Sequence, residues 1–536
     1  MDLILAGSVP LAPGGRPVHA IGIADGHIVA VGDRADIRDW RGRGTAVYDV
    51  GSAAILPGFT DGHTHPVLGA NLTAGVSLRD ARDLDSVRRL LADEAATAPP
   101  GEWLRGWGLL PDVFGGRAPS RSMIDDATGG RPALLRMFDG HSALASSAAL
   151  LAAGIHGAHD LPGVARIVCD EDGSPTGYLR EPDAVELVER AAPALSSHRQ
   201  AALLRTALEA MSQAGLTGIH ALEFDDAAAR LYRALEDDGP LPVTIRCMPW
   251  CPADSDRQAW SALAGMQNRR GDRWRVGGAK FFLDGTIDDG TAWLSEHDSL
   301  GGSTAPLWHD LDAYGAAIRY FAERGIVTAT HAIGDQAVLH AADAIDRANA
   351  GLGSHRRVVP HRIEHIEYLS GRGIARIAAS SATISMQPTH CTDFLHPDET
   401  DNWSIRMGHD RLANAWPLGR LEAAGVPLVL GSDWPIAGFD PRRIIASACL
   451  RRSPGSSRAE AIAPHQALSI PAAIAGYTVS AARSVGDGAI AGSIEVGKRA
   501  DLSVFAADPS TAPLDEFVDA PVVGTVVAGS VVFMSA

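Results

Sequence analysis

Eight short apolar segments in the middle of the chain constrain its fold more than any other feature. Each is rich in apolar or β-branched residues, and most precede a stretch with the apolar period of an amphipathic helix. Eight strands that alternate with helices are what a (β/α)8 barrel of the TIM type requires. We therefore predict an α/β fold built on such a barrel, with its strands at residues 54–65, 216–222, 243–249, 276–285, 325–332, 361–367, 382–388 and 427–435.

The two ends of the chain have a different pattern from the middle. Residues 19–33 contain two alternating runs around an Asp-Gly pair, which is a hairpin signal. Short alternating runs return after residue 492. Because both ends share this pattern, we predict that residues 1–54 and 486–536 form one small, discontinuous β-sandwich domain, and that residues 55–485 form the barrel domain.

One interval is much longer than an ordinary connection between a strand and a helix. Between the first two predicted strands, residues from about 75 to 198 contain clusters of Trp, Gly and Pro such as EWLRGWGLLPDVF. The sequence predicts that this interval is an insertion, which covers the mouth of the barrel as a lid.

Composition and charge narrow the class of partner. The formal net charge is −17 and the basic residues form no stripe that could neutralise phosphates, so we expect neither nucleic acid nor an anionic membrane as a partner. The sequence has no run of about 20 apolar residues and begins without the pattern of an export signal. The five cysteines are widely spaced, which favours a reducing compartment. We expect a cytoplasmic protein that acts on a small molecule.

Six residues that can bind metal fall at or near the carboxyl ends of predicted strands, where barrel enzymes place their active groups. Taken singly, each has an ordinary structural explanation as a polar loop residue, a buried histidine or a helix cap. Their combination favours a metal site, because alternate residues of a strand share one face and His63 and His65 therefore converge. The six residues are His63, His65, Lys280, His331, His365 and Asp433.

Lys280 is unusual because it lies in the apolar run GGAKFFL. A lysine that faces a core loses hydration, which lowers its pKa unless the amine is paired. One interpretation is a lysine that extends from the strand end to solvent. The other is a neutral amine that reacts with carbon dioxide and gives a carbamate able to bridge two cations.

The motifs around these residues resemble those of the amidohydrolase superfamily, in its amidohydrolase family 3 branch, and the sequence is similar to N-substituted formamide deformylases. PGFTDGHTHP resembles the first metal motif of this branch, GAKFFLDGT its lysine strand, THAIGD and RIEHIE its two further histidine strands, and GSDWPI its closing aspartate. RMFDGHSALASSAAL, TGYLRE and SMQPTH are similar to further segments of the branch. The resemblance covers nearly the whole chain.

The resemblance implies a centre of two divalent ions. Zinc is the first expectation, because histidine nitrogen with few carboxylates suits it, and manganese, iron or cobalt are alternatives. N6-carboxylated Lys280 would bridge the two ions. The other implied ligands are His63, His65 and Asp433 for one ion, and His331 and His365 for the other.

The resemblance also implies roles in catalysis and substrate binding. Asp433 would move a proton from water to the leaving nitrogen, and His141 would face the substrate and stabilise the developing oxyanion. His390, Asp284 and Glu181 are implied as residues of the substrate pocket. The implied reaction is hydrolysis of a carbon–nitrogen bond other than a peptide bond, with an N-formyl or N-acyl amine as substrate.

Several alternatives stay open at the level of sequence. After Lys280 the chain departs from the family pattern with DGTIDDGTAWL, where Asp288 and Asp289 favour either a cationic substrate group or a solvated turn. A mononuclear zinc deaminase, which would not need Lys280, and a cyclic-amide hydrolase are the alternatives within the superfamily. Outside catalysis, the alternative is a scaffold barrel. A homodimer is the expected assembly.

Overall fold

The computed structural model of the 536-residue chain describes residues 1–10, 18–99, 101–138, 140–161, 165–352 and 360–535. Asp139, in the motif around His141, lies outside the described residues. The predicted terminal domain and insertion also include positions outside these ranges.

The strands have short and regular bounds along the chain. They are β1 Leu3–Ser8, β2 Ala20–Ala24, β3 His27–Gly32, β4 Ala46–Pro57, β5 Phe59–Thr64, β6 Val76–Ser77, β7 Leu104–Leu109, β8 Ala133–Met137, β9 Ala143–Ala145, β10 Arg166–Cys169, β11 Pro175–Arg180, β12 Leu216–Ala221, β13 Thr244–Cys247, β14 Trp274–Val276, β15 Ala279–Phe282, β16 Thr328–Ala332, β17 Arg362–His365, β18 Thr383–Met386, β19 Leu428–Leu430, β20 Leu502–Phe505, β21 Val522–Val527 and β22 Ser530–Met534.

Helices separate most of the strands after β5. They are α1 Ile37–Trp40, α2 Pro66–Leu72, α3 Leu84–Thr97, α4 Ser147–Ala152, α5 Pro182–Glu189, α6 Ser197–Gln213, α7 Asp226–Asp237, α8 Arg257–Gly265, α9 Leu311–Ala322, α10 Asp335–Ala350, α11 Gly371–Ala378, α12 Pro388–Phe394, α13 Asn402–Met407, α14 His409–Leu412, α15 Leu418–Ala423, α16 Pro441–Leu450, α17 Ile470–Tyr477, α18 Val479–Ser484 and α19 Leu514–Phe517. Short 3-10 turns occur at Arg34–Asp36, Pro111–Phe114, Arg121–Met123, Asp125–Thr128, Arg458–Glu460 and Pro464–Gln466.

The strands that carry the predicted metal ligands form two parallel sheets. The first has the order β14-β13-β12-β5, and the second has the order β15-β16-β17-β18-β19. Helices lie between successive strands, because a parallel neighbour can be reached only by a crossover connection. The carboxyl ends of the strands in each sheet therefore lie along the same edge.

The crossover helices form where an N-cap residue is followed by an apolar stripe. In α7, the side chain of Asp225 accepts a hydrogen bond from the amide of Ala228, and the buried face carries Leu231, Tyr232 and Leu235. These side chains belong to one apolar core that also includes residues of both parallel sheets. The helices therefore bury one face of the sheets against an apolar layer, as parallel sheets require.

Hydrogen bonds also connect the two parallel sheets to each other. The amide of Asp433, just after β19, donates to the carbonyl of His63 on β5 at 2.7 Å. On the other side, the amide of Lys280 on β15 donates to the carbonyl of Pro249, just after β13, at 2.9 Å. The carboxyl ends of strands from both sheets consequently lie close together.

The two chain ends share a third sheet, with the strand order β22-β21-β20-β4-β1-β2-β3. β20 pairs antiparallel with β4 and thereby joins C-terminal strands to N-terminal ones. β4 leads through Gly58 directly into β5, and the amide of Gly58 donates to the carbonyl of Asp501 at 2.8 Å. The sheet of the chain ends is thus fixed to the first strand that carries site residues. The division into domains stays a prediction.

A fourth sheet, with the order β10-β11-β9-β8-β7-β6, lies within the interval that the sequence predicts as an insertion. Its strands pack in apolar clusters of their own, one of which includes Leu78, Leu135 and Leu144. These clusters are distinct from the core of the two parallel sheets. The interval is therefore an ordered element with its own packing, and its role as a lid stays a prediction.

Each of the eight predicted strand segments contains a strand, but two segments divide between sheets. Residues 54–65 include the end of β4 in the terminal sheet and all of β5. Residues 276–285 include the end of β14 and all of β15, which belong to different parallel sheets. Gly277 and Gly278 separate β14 from β15, and Gly278 has a φ of 152°, which favours glycine. The sequence does not reveal these two breaks, because the apolar pattern continues across both of them.

Close packing between β5 and the end of β19 depends on two glycines. A Cβ atom on Gly62 would lie 2.8 Å from the carbonyl oxygen of Leu430, and one on Gly431 would lie 2.6 Å from the amide nitrogen of His63. Both distances are too short for any residue with a side chain. The glycines therefore set the spacing between the strand ends that carry His63 and Asp433.

We predict that Gly62→Ala lowers the free energy of unfolding by about 1 to 3 kcal/mol, because the added methyl group forces β5 and β19 apart. Urea unfolding followed by tryptophan fluorescence measures this change. Gly44→Ala is the matched control, since a Cβ atom there meets nothing within 4 Å. Equal stability of the two variants would contradict this account of the packing.

Candidate metal centre and active site

The predicted metal ligands meet at the carboxyl ends of the strands of the two parallel sheets. His63 lies near the end of β5, and His65 is the first residue after this strand. His331 lies in β16, and His365 is the last residue of β17. The rings of His331 and His365 have their centroids 4.3 Å apart, and those of His63 and His365 are 4.8 Å apart. Side chains from distant parts of the sequence thus form one compact histidine cluster.

A buried ion pair orients His63. The Nδ1 atom of His63 donates to Oε2 of Glu364 at 2.8 Å, and Arg362 contacts both oxygens of Glu364 at 2.8 and 3.0 Å. All three side chains have no exposed surface. Because Nδ1 carries the proton, the lone pair of Nε2 faces the cluster, as a metal ligand requires. The neighbouring Asp61 accepts hydrogen bonds from the amides of His63 and Ser432, and among the described residues it makes no hydrogen bond or ion pair with the ring of His63; it therefore holds the strand ends rather than the imidazole.

The two oxygens of Asp433 face different histidines. Oδ1 lies 3.4 Å from Nε2 of His63 and 3.2 Å from Nε2 of His65. Oδ2 lies 3.9 Å from Nδ1 of His365 and 4.0 Å from Nε2 of His390. Asp433 therefore stands at the centre of the cluster and is shared by both halves.

Lys280 lies on β15 with no exposed surface. Its Nζ atom makes no hydrogen bond among the described residues and lies 5.1 Å above the ring of Phe282. Burial lowers the pKa of Lys280 to about 8, against an attraction to Glu364 and Asp433 that favours the charged amine. A substantial fraction of this amine is neutral at slightly alkaline pH, which is the form that reacts with carbon dioxide. Extension of the amine to solvent, the other sequence-based interpretation, does not occur.

Electrostatics keep the cluster in a ligand-like protonation state. Burial lowers the pKa values of His63, His331 and His365 well below their ordinary value, and the positive charge of Lys280 adds to this effect. Burial disfavours ionisation of Asp433, but neighbouring His63 and His65 outweigh it and hold its pKa below the ordinary value. Neutral imidazoles around a carboxylate are the state in which these groups bind a divalent cation.

Two residues of the cluster have strained backbone. His365 has a φ of 77° and Asp433 a φ of 59°, both in the left-handed region. Such a conformation costs on the order of 1 to 3 kcal/mol for a residue with a side chain, and it persists only where the surroundings enforce it. Strain at two predicted ligands indicates that the surrounding structure holds them in place at a cost in the free energy of folding.

Two groups in the cluster fit a metal ion. Their ligand atoms lie within 4.8 Å of one another in each group. Several of these atoms, including Nε2 of His63 and of His365, are buried without a hydrogen-bond partner in the described part of the chain, which a bound cation would supply. The groups are His63, His65 and Asp433, and His365, His390 and Asp433. His390, predicted from sequence as a pocket residue, is thus also within reach of a cation.

His331 differs from the other predicted ligands. Its Nε2 atom lies 3.2 Å from the carbonyl oxygen of Gly285 and 3.8 Å from Oδ1 of Asp284. If Nε2 donates to this carbonyl, the lone pair of Nδ1 is the one free for a ligand. Its role as a ligand stays a prediction.

A cavity of about 40 Å³ lies next to the cluster. A water molecule needs roughly 10 to 15 Å³, so this space holds only a few waters and a larger substrate requires the wall to move. His141 and Phe138 reach this wall from the interval predicted as an insertion, and the aromatic rings of Trp403 and Trp416 line it from the other side. The cavity therefore combines polar groups near the cluster with an apolar wall.

The other predicted pocket residues have distinct positions. His141 lines the cavity, and its Nδ1 atom lies 3.1 Å from Oε2 of Glu181. The other carboxylate oxygen of Glu181 accepts from Thr291 at 2.6 Å, so Glu181 holds His141 in place. Asp284 accepts hydrogen bonds from the amides of Trp293, Ile333 and Gly334 and is outside the cavity lining, and its contact with substrate stays a prediction.

The two aspartates of the unusual run after Lys280 are not part of a solvated turn. Asp288 lines the cavity and accepts a hydrogen bond from the side-chain amide of Asn402 at 3.1 Å. Burial and the nearby charge of Glu367 raise the pKa of Asp288 to about 8. Asp289 is buried and accepts hydrogen bonds from Ser142 and Tyr178 at 2.6 Å each.

Sequence reasoning missed the residues that support the ligands. Arg362 and Glu364 lie in the predicted strand RIEHIE, but no role is predicted from the sequence for these two charges beside a candidate ligand. A strand that is apolar enough to be buried and yet contains Arg-x-Glu-His signals a buried ion pair. Trp403 and Trp416 gave no such signal, because they reach the cavity only through the folded chain.

A sequence profile of the amidohydrolase family matches residues 46–533. The chain belongs to the amidohydrolase family. It is therefore a hydrolase that acts on carbon–nitrogen bonds, and its buried histidine and aspartate groups could hold a metal ion. The resemblance to this family predicted from sequence is confirmed.

Relatives match the chain over nearly its full length. The protein LONG AFTER FAR-RED 3 of Arabidopsis thaliana is 29% identical, over 95% of this chain and 87% of its own. The N-substituted formamide deformylase of Arthrobacter pascens is 26% identical, over 95% of this chain and 94% of its own. A metal-dependent hydrolase of uncharacterized function from Pyrococcus horikoshii shares the fold, with a TM-score of 0.73 and 21% identity over 96% of this chain and 99% of its own.

The α/β architecture predicted from sequence agrees with this structural neighbour. Among the described helices, none has the length and apolar character that crossing a membrane requires.

We predict that Glu364→Gln weakens the binding of zinc about 10- to 100-fold, because His63 loses the carboxylate that fixes its proton on Nδ1. Isothermal titration calorimetry with metal-free protein measures this affinity. Glu186→Gln is the control, since Glu186 forms a half-exposed ion pair with Arg190 away from the cluster. An unchanged affinity in folded Glu364→Gln protein would show that the ion pair does not orient the ligand.

Proposed function

We propose that this amidohydrolase cleaves the carbon–nitrogen bond of a small N-formyl or N-acyl amine. The observation that carries the proposal is the shared carboxylate of Asp433, with histidine nitrogens on both of its oxygens. A carboxylate in this position can act both as a ligand and as a carrier of the proton that amide hydrolysis must transfer. The similarity to a formamide deformylase supports the N-formyl class.

The residues of the cluster would hold two divalent ions, with zinc as the first candidate. His63 and His65 serve one ion with Asp433, and His365 serves the other. We further propose that the parallel sheets close into a (β/α)8 barrel, which would place all of these groups at its carboxyl-terminal mouth. Lys280, whose amine is buried and unpaired among the described residues, is the candidate for a carbamate bridge.

A bound divalent ion supplies Lewis acidity, which lowers the pKa of water and polarises a carbonyl group. Asp433 accepts the proton of the attacking water and passes it to the leaving nitrogen. The ionised state of Asp433, held by His63 and His65, prepares it for the first of these steps. Nδ1 of His141 donates to Glu181, so His141 can donate a second hydrogen bond, from Nε2 to the developing oxyanion, when both ring nitrogens carry a proton.

The cavity determines which substrates can reach these groups. Its apolar wall includes Phe138, Phe394, Trp403 and Trp416, which suits an apolar substituent on the amide. His390 and Asp288 are the polar groups that would contact the substrate. Because the space is about 40 Å³, we expect part of the cavity wall to move when an amide enters.

We predict that Asp433→Asn lowers kcat for an N-formyl amine by about 10² to 10⁴-fold, because the carrier of the proton is lost. Steady-state kinetics with zinc-loaded protein and a panel of N-formyl and N-acetyl amines measures the change. Asp440→Asn is the control, since Asp440 caps α16 through the amide of Arg442 and pairs with the guanidinium of Arg442, outside the cluster.

Three outcomes separate the candidate functions. Metal-dependent release of formate or acetate that Asp433→Asn abolishes supports the proposal. Release of ammonia from heterocyclic amines, without turnover of any amide, would replace it with a deaminase. Full activity of Asp433→Asn would remove Asp433 from the chemistry.

A further inference from the structure

A second and larger cavity lies beside the first parallel sheet, and it shares no lining residue with the cavity next to the histidine cluster. It has a volume of about 450 Å³ and is bordered by Thr60 near the start of β5 and Thr244 at the start of β13. Residues of the segment 482–499 form the other wall. The cavity therefore lies between the first parallel sheet and the chain that returns towards the terminal sheet, away from the proposed active site.

The lining of this cavity is cationic although the protein as a whole is acidic. The net charge of the chain is −17, yet five arginines and two aspartates border the cavity. Clustering of arginines against the sign of the whole protein concentrates a positive potential in a concave space, where field lines are focused. The arginines are Arg246, Arg270, Arg273, Arg275 and Arg499.

The positive charge of the cavity is only partly neutralised by the protein. Asp487 accepts hydrogen bonds from both Arg246 and Arg275, so one carboxylate is shared by two guanidinium groups. Arg273 donates to the carbonyl oxygens of Leu241 and Val527. Arg499 forms an ion pair with Asp501. Asp272, Asp487 and Asp501 are together fewer than the five arginines, so an excess of cationic groups remains around the cavity.

Arg246 is the most constrained member of the cluster. Its side chain is 9% exposed, and its Nε and Nη1 atoms have no hydrogen-bond partner among the described residues. A buried guanidinium that is incompletely paired destabilises the folded protein. An ion pair that only fastened β13 to the segment of Asp487 would need one arginine. Such an ion pair does not account for the second guanidinium or for the open space.

The cavity also has an apolar part. Trp274, Ile245 and Ile490 line it beside the arginines. A ligand that fits has an anionic head group and an apolar body. Arginine binds the oxygens of carboxylates and phosphates through paired hydrogen bonds, and both head groups present the same chemistry to it.

We propose that this cavity binds a small organic oxyanion, with its carboxylate or phosphate group against Arg246 and Arg275 and its apolar body against Ile490, whose side chain is 47% exposed. This site is separate from the metal cluster, so it does not depend on the proposed hydrolytic function. Its ligand is an effector or a carried molecule rather than the amide substrate.

Isothermal titration calorimetry of the full chain tests this site with three anionic probes, benzoate, phenyl phosphate and inorganic phosphate. Benzyl alcohol serves as the neutral probe. We expect saturable binding of at least one aromatic anion, weakened by added salt because the contacts are ionic. The tighter of benzoate and phenyl phosphate identifies the head group, and inorganic phosphate alone shows whether the apolar body contributes.

Two variants assign the binding to this cavity. Arg246→Met and Arg275→Gln are expected to weaken binding about tenfold or more, because each removes a charge-assisted contact. Arg376→Gln is the matched control, since Arg376 pairs with Asp343 and Asp346 outside the cavity. The Arg275 side chain is 43% exposed, so Arg275→Gln decides the matter if Arg246→Met fails to fold.

The proposal is overturned by either of two results. One is the absence of saturable heat from all three anions at concentrations up to about 10 mM. Binding weaker than this is too weak to indicate a specific site. The other is anion binding of equal strength in the wild type and in Arg275→Gln. In both cases the arginines around Asp487 only fasten the segment 482–499 to the sheet.

Discussion

The buried contact of Arg362, Glu364 and His63 is the interaction on which the rest of the site depends. A guanidinium and a carboxylate without exposed surface are costly unless each satisfies the other, and Arg362 and Glu364 do so through two hydrogen bonds. The remaining capacity of Glu364 fixes the proton of His63. Arg362 also donates to the carbonyl of Gly62 at 2.6 Å, which ties β17 to β5. This ion pair therefore both connects two strands and orients a candidate metal ligand.

Around this pair, the protein assembles groups that are unfavourable by themselves. Neutral buried histidines, a buried lysine without a hydrogen-bond partner among the described residues, and left-handed backbone at His365 and Asp433 each cost free energy. A divalent cation would offset these costs by binding the lone pairs that the histidines present. Under the proposed function, the same arrangement that makes the metal-free cluster unfavourable would favour the binding of a divalent cation.

The sequence predicted the positions of the strands well because their signals are local, and most of the candidate ligands that it indicated come together in the structure. His63 and His65 follow an apolar run, and an apolar run that contains Lys280 is rare enough to attract attention. Other features depend on contacts across the fold. The division of strands at Gly58 and Gly277 changes no apolar pattern, and the cavity wall at Trp403 becomes visible only when distant segments meet.

X-ray diffraction from crystals grown with zinc and bicarbonate, without chelator, tests the central claim most directly. Anomalous scattering at the zinc edge locates the ions independently of any assumed ligand. The account predicts two peaks beside Asp433, one near Nε2 of His63 and one near His365, with additional density on Nζ of Lys280. A single peak beside an unmodified lysine would contradict the binuclear centre, and no peak at Asp433 would contradict the metal site itself.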